Sequence, residues 1–153
     1  MAAGDILKEA DLVVEQFTVK ASEDIEKGEL CYDDGNGLLA ATAAAAAGTK
    51  VVMALEAHDY SEVSTHVISC VVKGFVIAQK VSGSGAASKL DKITISGTAG
   101  EVTKFAKGTV SQANTFATAT DQAAIDTNLE VIGFATKASL DADTVQEMYL
   151  GGA

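Results

Sequence analysis

The feature that most constrains this chain is a set of sequence blocks that occurs twice in the same order. Gly28-Glu-Leu-Cys-Tyr32 followed by Gly37-Leu-Leu39 is matched by Asp91-Lys-Ile-Thr-Ile95 followed by Gly100-Glu-Val102, at a constant offset of 63. Val52-Met-Ala-Leu-Glu-Ala57 then resembles Gly133-Phe-Ala-Thr-Lys-Ala138, and Ile68-Ser-Cys-Val-Val-Lys-Gly74 resembles Val145-Gln-Glu-Met-Tyr-Leu-Gly151, with offsets of 81 and 77. Blocks that keep their order while the spacing drifts imply one supersecondary unit built twice, with insertions confined to loops. Each unit reads as a strand, a hairpin, an Ala-rich or Thr-rich loop, a strand ending at Ala57 or Ala138, an acidic turn, and a strand ending in Gly.

The blocks are strand-like because β-branched residues alternate with polar ones and Gly-containing turns interrupt them at short intervals. The expected strands are Phe17-Thr-Val-Lys20, Glu29-Leu-Cys-Tyr32, Lys50-Val-Val-Met-Ala-Leu55, 67–72, 75–81, Lys92-Ile-Thr-Ile95, Glu101-Val-Thr-Lys-Phe105, 131–135 and 145–150. Asp33-Asp-Gly-Asn-Gly37 tolerates positive φ and reads as a hairpin turn. Two stretches have helical propensity, 40–47, which is nearly all Ala, and 121–129, with an N-cap oxygen at Thr120 or Asp121. Both are short and are expected as insertions in a β protein. The core is mostly Ala, Val, Leu and Ile, since the chain has no Trp, five Phe and three Tyr, and such thin cores suit packed sheets. The expected fold is all-β: a compact body of two related β units in one domain. Residues 1–15 form an N-terminal arm, 16–81 the first unit, 82–89 a flexible Gly/Ser-rich connection, and 90–153 the second unit.

Charge and chemistry narrow the function classes. The net charge is −10, and all 11 basic residues are Lys, so the bidentate guanidinium that phosphate and base recognition favour is missing and nucleic-acid binding is not expected. Residues 1–66 carry 13 acidic and 4 basic side chains, against 8 and 7 in 67–153. The first residues lack a basic and an apolar leader region, and no apolar run approaches the ~20 residues of a membrane span. Residence in a cytoplasm follows, and there Cys31 and Cys70 are expected as reduced, buried thiols.

His58, Asp59, His66 and Cys70 can be drawn as a zinc set, but they fall in and around an acidic turn, where a solvated His is the simpler expectation. Asp33, Asp34 and Asn36 contain calcium-loop ingredients, yet the position that should hold the closing Glu is Ala45. Gly83-Ser-Gly-Ala-Ala-Ser-Lys89 lacks the Gly before its Lys and the following Ser or Thr of a phosphate loop. No nucleophile has an evident base, so no catalytic, cofactor or metal residue is assigned and an enzyme is not expected.

The layout resembles the small head decoration proteins of tailed phages, including the lambda-like decoration protein and related short capsid-stabilising families. The resemblance lies in Lys27-Gly28 opening a strand, a Gly turn before Leu38-Leu39, and an Ala-rich stretch leading into Val51-Val-Met-Ala-Leu-Glu-Ala57. Val71-Val-Lys-Gly-Phe75 completes that unit, and Val131-Ile-Gly-Phe-Ala135, an acidic turn and Met148-Tyr-Leu-Gly-Gly152 form the C-terminal idiom. Together these blocks span roughly Phe17 to Gly152.

The resemblance implies a β-barrel or β-tulip-like body on the outer surface of an icosahedral capsid, assembled in the host cytoplasm. It implies a homotrimer bound to the major capsid protein, stabilising contacts between capsid subunits, with no cofactor, nucleic acid or membrane involved. In the lambda-like members an N-terminal arm extends a sheet of the capsid protein, and the corresponding arm here is 2–15, with Ile6, Leu7, Leu12, Val13 and Val14 as its apolar contacts. An extended arm gains main-chain bonds at a sheet edge. Ile6, Leu7, Ala10 and Val14 also fit helical spacing, so strand and helix both stand. The alternatives are a biotinyl- or lipoyl-type β-sandwich carrier or ligand-binding module, disfavoured because the hairpin 33–37 has no Lys, and another virion component such as a tail-tube or fibre-base protein.

Overall fold

In the computed structural model, residues 1–43, 46, 48–62, 66–106 and 131–151 are described. They form an all-β molecule of nine strands with no helix among them: β1 (Ile6–Thr18), β2 (Leu30–Asp33), β3 (Leu38–Ala40), β4 (Val52–Ala54), β5 (Val67–Gln79), β6 (Lys92–Ile95), β7 (Val102–Lys104), β8 (Val131–Ala135) and β9 (Val145–Leu150). The possible helix over 121–129 lies outside the described residues. Of the Ala-rich stretch, Ala41 and Ala46 are buried in the core.

The strand order is β3-β2-β4-β5-β9-β8-β6-β7, with β1 added on β5. This order is a mirror list: β2, β3, β4 and β5 take the places that β6, β7, β8 and β9 take on the other side. The sheet curls into a half-barrel, and its two ends meet where Gly100 N–H donates to Ala41 O (2.9 Å), Leu30 N–H to Gly100 O (2.8 Å) and Ala43 N–H to Ser96 O (3.0 Å). Leu30, Met53, Val71, Val76, Ile93, Val102, Met148 and Leu150 fill the central core, and a second cluster around Ile25, Cys31, Leu38, Ile68 and Cys70 serves the first unit.

Backbone bonds show the repeat residue by residue. Ile25 and His58 exchange N–H···O bonds (2.9 and 2.7 Å), as do Ala87 and Ser139 (3.0 and 2.8 Å). Ala54 N–H donates to Glu29 O (2.9 Å), and Ala135 N–H to Asp91 O (2.8 Å). Val19 pairs in parallel with Leu38, and Lys80 with Val102.

These bonds correct two sequence expectations. Glu29 corresponds to Asp91, one residue off the alignment by apolar character, because β2 buries Leu30, Cys31 and Tyr32 while β6 buries Ile93, Thr94 and Ile95. The apolar pattern had slipped by one along a strand whose backbone had not. The Gly/Ser-rich stretch 82–89, expected as a flexible connection, is bonded into the second unit. Gly83 N–H reaches Asp141 O (2.8 Å), Ala87 pairs with Ser139 and is buried, and the second unit begins at Lys80.

Candidate docking surface

The expected strand pair 67–72 and 75–81 is one 13-residue strand, β5, running through Gly74. Its register with β1 explains why Gly stands there. At Val76 one side of β5 is taken by Met148 of β9, so Ile6, its partner in β1, lies on the other side. At Val71 the opposite side is taken by Met53 of β4, so Val14 lies on the β9 side. β1 therefore crosses over β5 between Lys8 and Val13, where its register shifts. A Cβ on Gly74 (φ +149°) would sit 3.0 Å from Leu12 Cδ1, so the crossing needs a residue without one.

Asp11, at φ +61°, makes the bend of the crossing. Its carboxylate accepts the Tyr149 hydroxyl (3.0 Å) and lies 3.5 Å from the Lys73 ammonium. The hydrogen bond to Tyr149 and the charge of Asp11 push the Lys73 amine above its ordinary range. Lys8 stands 4.9 Å over the Phe75 ring, which meets Tyr149 edge-on at 4.8 Å, and Tyr149 stacks on Phe134 at 5.4 Å. This aromatic row is cross-strand packing that anchors the crossing.

The arm expectation resolves as a strand, not a helix. Ten of the thirteen β1 residues are exposed, so main-chain bonds and three inward anchors, Leu7, Leu12 and Phe17, carry its attachment. Of the five residues expected as arm contacts, Ile6 (38%), Val13 (42%) and Val14 (43%) are exposed, while Leu7 and Leu12 are half-buried and Leu12 packs on the central core. Val67 at the start of β5, opposite Thr18, adds a further exposed apolar side chain (43%) that the strand pattern did not single out.

The other candidate sites resolve differently. His58 is buried (4% exposed) and its Nε2 lies 2.9 Å from His66 Nδ1, with Tyr60 stacked on His66 at 4.4 Å. The solvated-His expectation fails here, because the turn folds His58 inward to pair with Ile25 of the neighbouring segment. No group of three or more His, Cys, Asp or Glu positioned to hold a metal ion occurs among the described residues. Cys31 and Cys70 are free and buried, and burial pushes both thiols up, Cys70 to about 12. They sit on β2 and β5 with β4 between, two strand spacings apart (roughly 9–10 Å across the sheet) and offset by two residues along β4, which puts their Cα atoms beyond disulfide reach.

In the hairpin 33–37, the Asp33 and Asp34 carboxylates accept the N–H groups of Gly35 (2.7 Å) and Asn36 (2.9 Å), and Asp34 also holds Lys20. The segment after Lys89 enters β6 rather than a helix. A surface depression of about 510 Å³ is lined by Val81, Thr94, Ile95, Thr103 and neighbours, with Lys104 the one ionisable side chain on its wall among the described residues. That lysine is engaged by Asp91 at 2.8 Å. Comparison with known families, with curated proteins and with solved structures found no match for this chain.

Proposed function

We propose that this chain is a structural virion protein, a capsid decoration protein that binds the major capsid protein on the outer surface of an icosahedral shell and strengthens contacts between its subunits. The observation that carries the reading is β1: a long strand on the outside of a curled sheet, holding Ile6, Val13 and Val14 toward solvent in a chain that is otherwise strongly acidic. Exposed apolar side chains on one strand are a docking feature, and the acidic balance keeps free copies soluble and away from packaged DNA. Many identical contacts around a shell make modest individual ones sufficient.

The test uses expanded, undecorated shells of the virus that carries the gene, mixed with purified protein and sedimented. The wild-type chain co-sediments at a fixed ratio to capsid subunits, and the double variant Ile6→Glu/Val13→Glu stays in the supernatant. Deletion of 2–15 is the poorer experiment, since Gly4 and Asp5 bond to both backbone groups of Ile77 (2.7 and 3.0 Å) and the cut also removes Leu12 from the core. Failure of the wild-type chain to bind any shell sinks the reading, and binding by a folded double variant sinks the assignment of the surface.

A further inference from the structure

Sheet edges are protected in most proteins by shortness, by Lys or Pro, by bulges or by cover, and the edges of this sheet divide on that test. β3 and β7, at the ends of the strand order, are three residues each, and hydrogen bonds link the chain just after β3 to the turn before β7. The first half of β1 carries Lys8, register shifts and the Asp11 bend. From Val14 to Thr18, however, β1 runs in unbroken register with β5, contains neither Lys nor Pro and a single charge, Glu15, and has no partner on its other side among the described residues. Ser69 O accepts Leu55 N–H from the β4 side, so Ser69 faces away from β1 and its partner Gln16 faces away from β5. In an antiparallel ladder the outward groups alternate, which turns the N–H and C=O of Val14, Gln16 and Thr18 toward solvent.

We infer that this edge pairs antiparallel with the same edge of a second copy, centred on Gln16, to give, in place of the homotrimer that the resemblance implies, a two-fold dimer with one sheet continuous across both chains. The sequence of the edge is self-complementary in that register. Gln16 falls opposite Gln16 of the other copy, Val14 opposite Thr18, and Glu15 opposite Phe17, so no carboxylate faces another and the Glu15 pair is only diagonal. An isologous contact of this kind needs a patch that matches itself. The same strand turned in parallel would stack Glu15 on Glu15. Pairing draws Val14, one of the large apolar side chains left exposed in the single chain, into the dimer seam and leaves Ile6 and Val13 for the shell.

The inference concerns the protein alone, and its test needs no capsid. Sedimentation equilibrium over a concentration series shows a wild-type species of twice the chain mass. Gln16→Pro removes an outward N–H and no inner ladder bond, a position where an edge strand accepts Pro, and it runs at the single-chain mass. Val14→Lys, an exposed substitution that keeps the fold by circular dichroism and melting, does the same. Gln16→Cys, oxidised, links into covalent dimers at least ten-fold faster than Leu140→Cys, an exposed control away from the edge. A wild-type chain that stays at single-chain mass throughout, a trimer untouched by Gln16→Pro and Val14→Lys, or equal linking of the two cysteine variants overturns the inference. Shell binding by Ile6→Glu/Val13→Glu is scored separately, so the docking reading and the dimer can fail independently.

Discussion

The two halves of the sheet share a backbone but fasten their acidic turns by different chemistry. In the first unit, the turn after β4 is held by the His58–His66 ring contact (2.9 Å), by Tyr60 stacked on His66, and by Tyr60 N–H donating to the Asp24 carboxylate (2.9 Å). In the second, Lys80 is buried (2% exposed), and its ammonium donates to the carbonyls of Val81, Leu140, Asp141 and Asp143 at 3.2–3.4 Å. Ser139 stands where His58 does and donates to Gln146 Oε1 (2.6 Å), whose amide in turn holds Lys137 O and Glu147 O (both 2.9 Å). Val19, the counterpart of Lys80, is apolar. Backbone pairing is thus preserved while the side chains that satisfy the turn are exchanged freely. Buried polar groups only need to be satisfied, by whatever partner reaches them.

The strongest contrast between the halves should appear at β4 and β8. Gly133 matches Val52 through the bonds each makes with β6 or β2, yet a Cβ on Gly133 would sit 1.9 Å from Tyr149 O. Gly133→Ala is expected to lose about 3 kcal/mol, and Val52→Ala about 1–2 kcal/mol from lost burial, both measured by urea unfolding. Next in size, Lys80→Met takes a shared donor from four carbonyls, of which Val81, Leu140 and Asp141 keep Ser84 Oγ–H, Asp143 N–H and Gly83 N–H while Asp143 O loses its Lys80 bond, and costs about 1–2 kcal/mol, with faster amide exchange confined to the second turn. His66→Phe keeps the stack on Tyr60 but strands a buried His58 nitrogen, for about 1–2 kcal/mol, with faster exchange in the first turn only.

A subtler difference lies in the paired carboxylates. Glu29 and Asp91 each cap the backbone three residues before, at Glu26 N–H (2.9 Å) and Ser88 N–H (2.8 Å). Burial raises the Glu29 pKa above its ordinary 4.5, whereas the Lys104 and Ser88 hydrogen bonds lower that of Asp91 below 3.8. A carboxyl with a raised folded value weakens folding as pH rises through that value, and one with a lowered value weakens it as pH falls. A carboxyl-carbon NMR titration should therefore find Glu29 titrating above 4.5 and Asp91 below 3.8, opposite signs from one backbone role. The smallest effect is at Leu90, which holds φ +72° where Gly28 holds +87°. Leu90→Gly relieves that strain, offset by the freedom Gly adds to the unfolded chain, for a net gain of about 0.5 kcal/mol.

Much of this architecture was legible in the residues. Alternating runs located the strands, and the ordered blocks announced two kindred units. Gly in a strand signals a break, so Lys73-Gly74 reads as the gap between two strands, yet here Gly74 marks a close backbone crossing within one. Helical spacing at Ile6, Leu7, Ala10 and Val14 competed with the strand that forms, since a strand with solvent on both faces carries little alternation to read. The apolar set of β1 was visible, but its division into exposed Ile6, Val13 and Val14 and inward Leu7 and Leu12 depends on the crossing, which no local pattern encodes. The burial of Lys80 and of His58 escaped for a related reason: polar residues are read as surface until a fold shows what they bond.

The crossing of β1 over β5 reverses the order of manufacture and the order of assembly. Ribosomes deliver residues 6–18 first, but the strand they lie across, 67–79, emerges much later, after the β2–β3 hairpin has had time to close. The earlier of the two strands then waits for the later one to find its place. Such long-range closure slows folding and leaves an apolar segment open to strangers in the meantime. Tethering a bulky, slowly folding partner ahead of Met1 should therefore depress the yield of native protein far more than the same partner placed after Ala153.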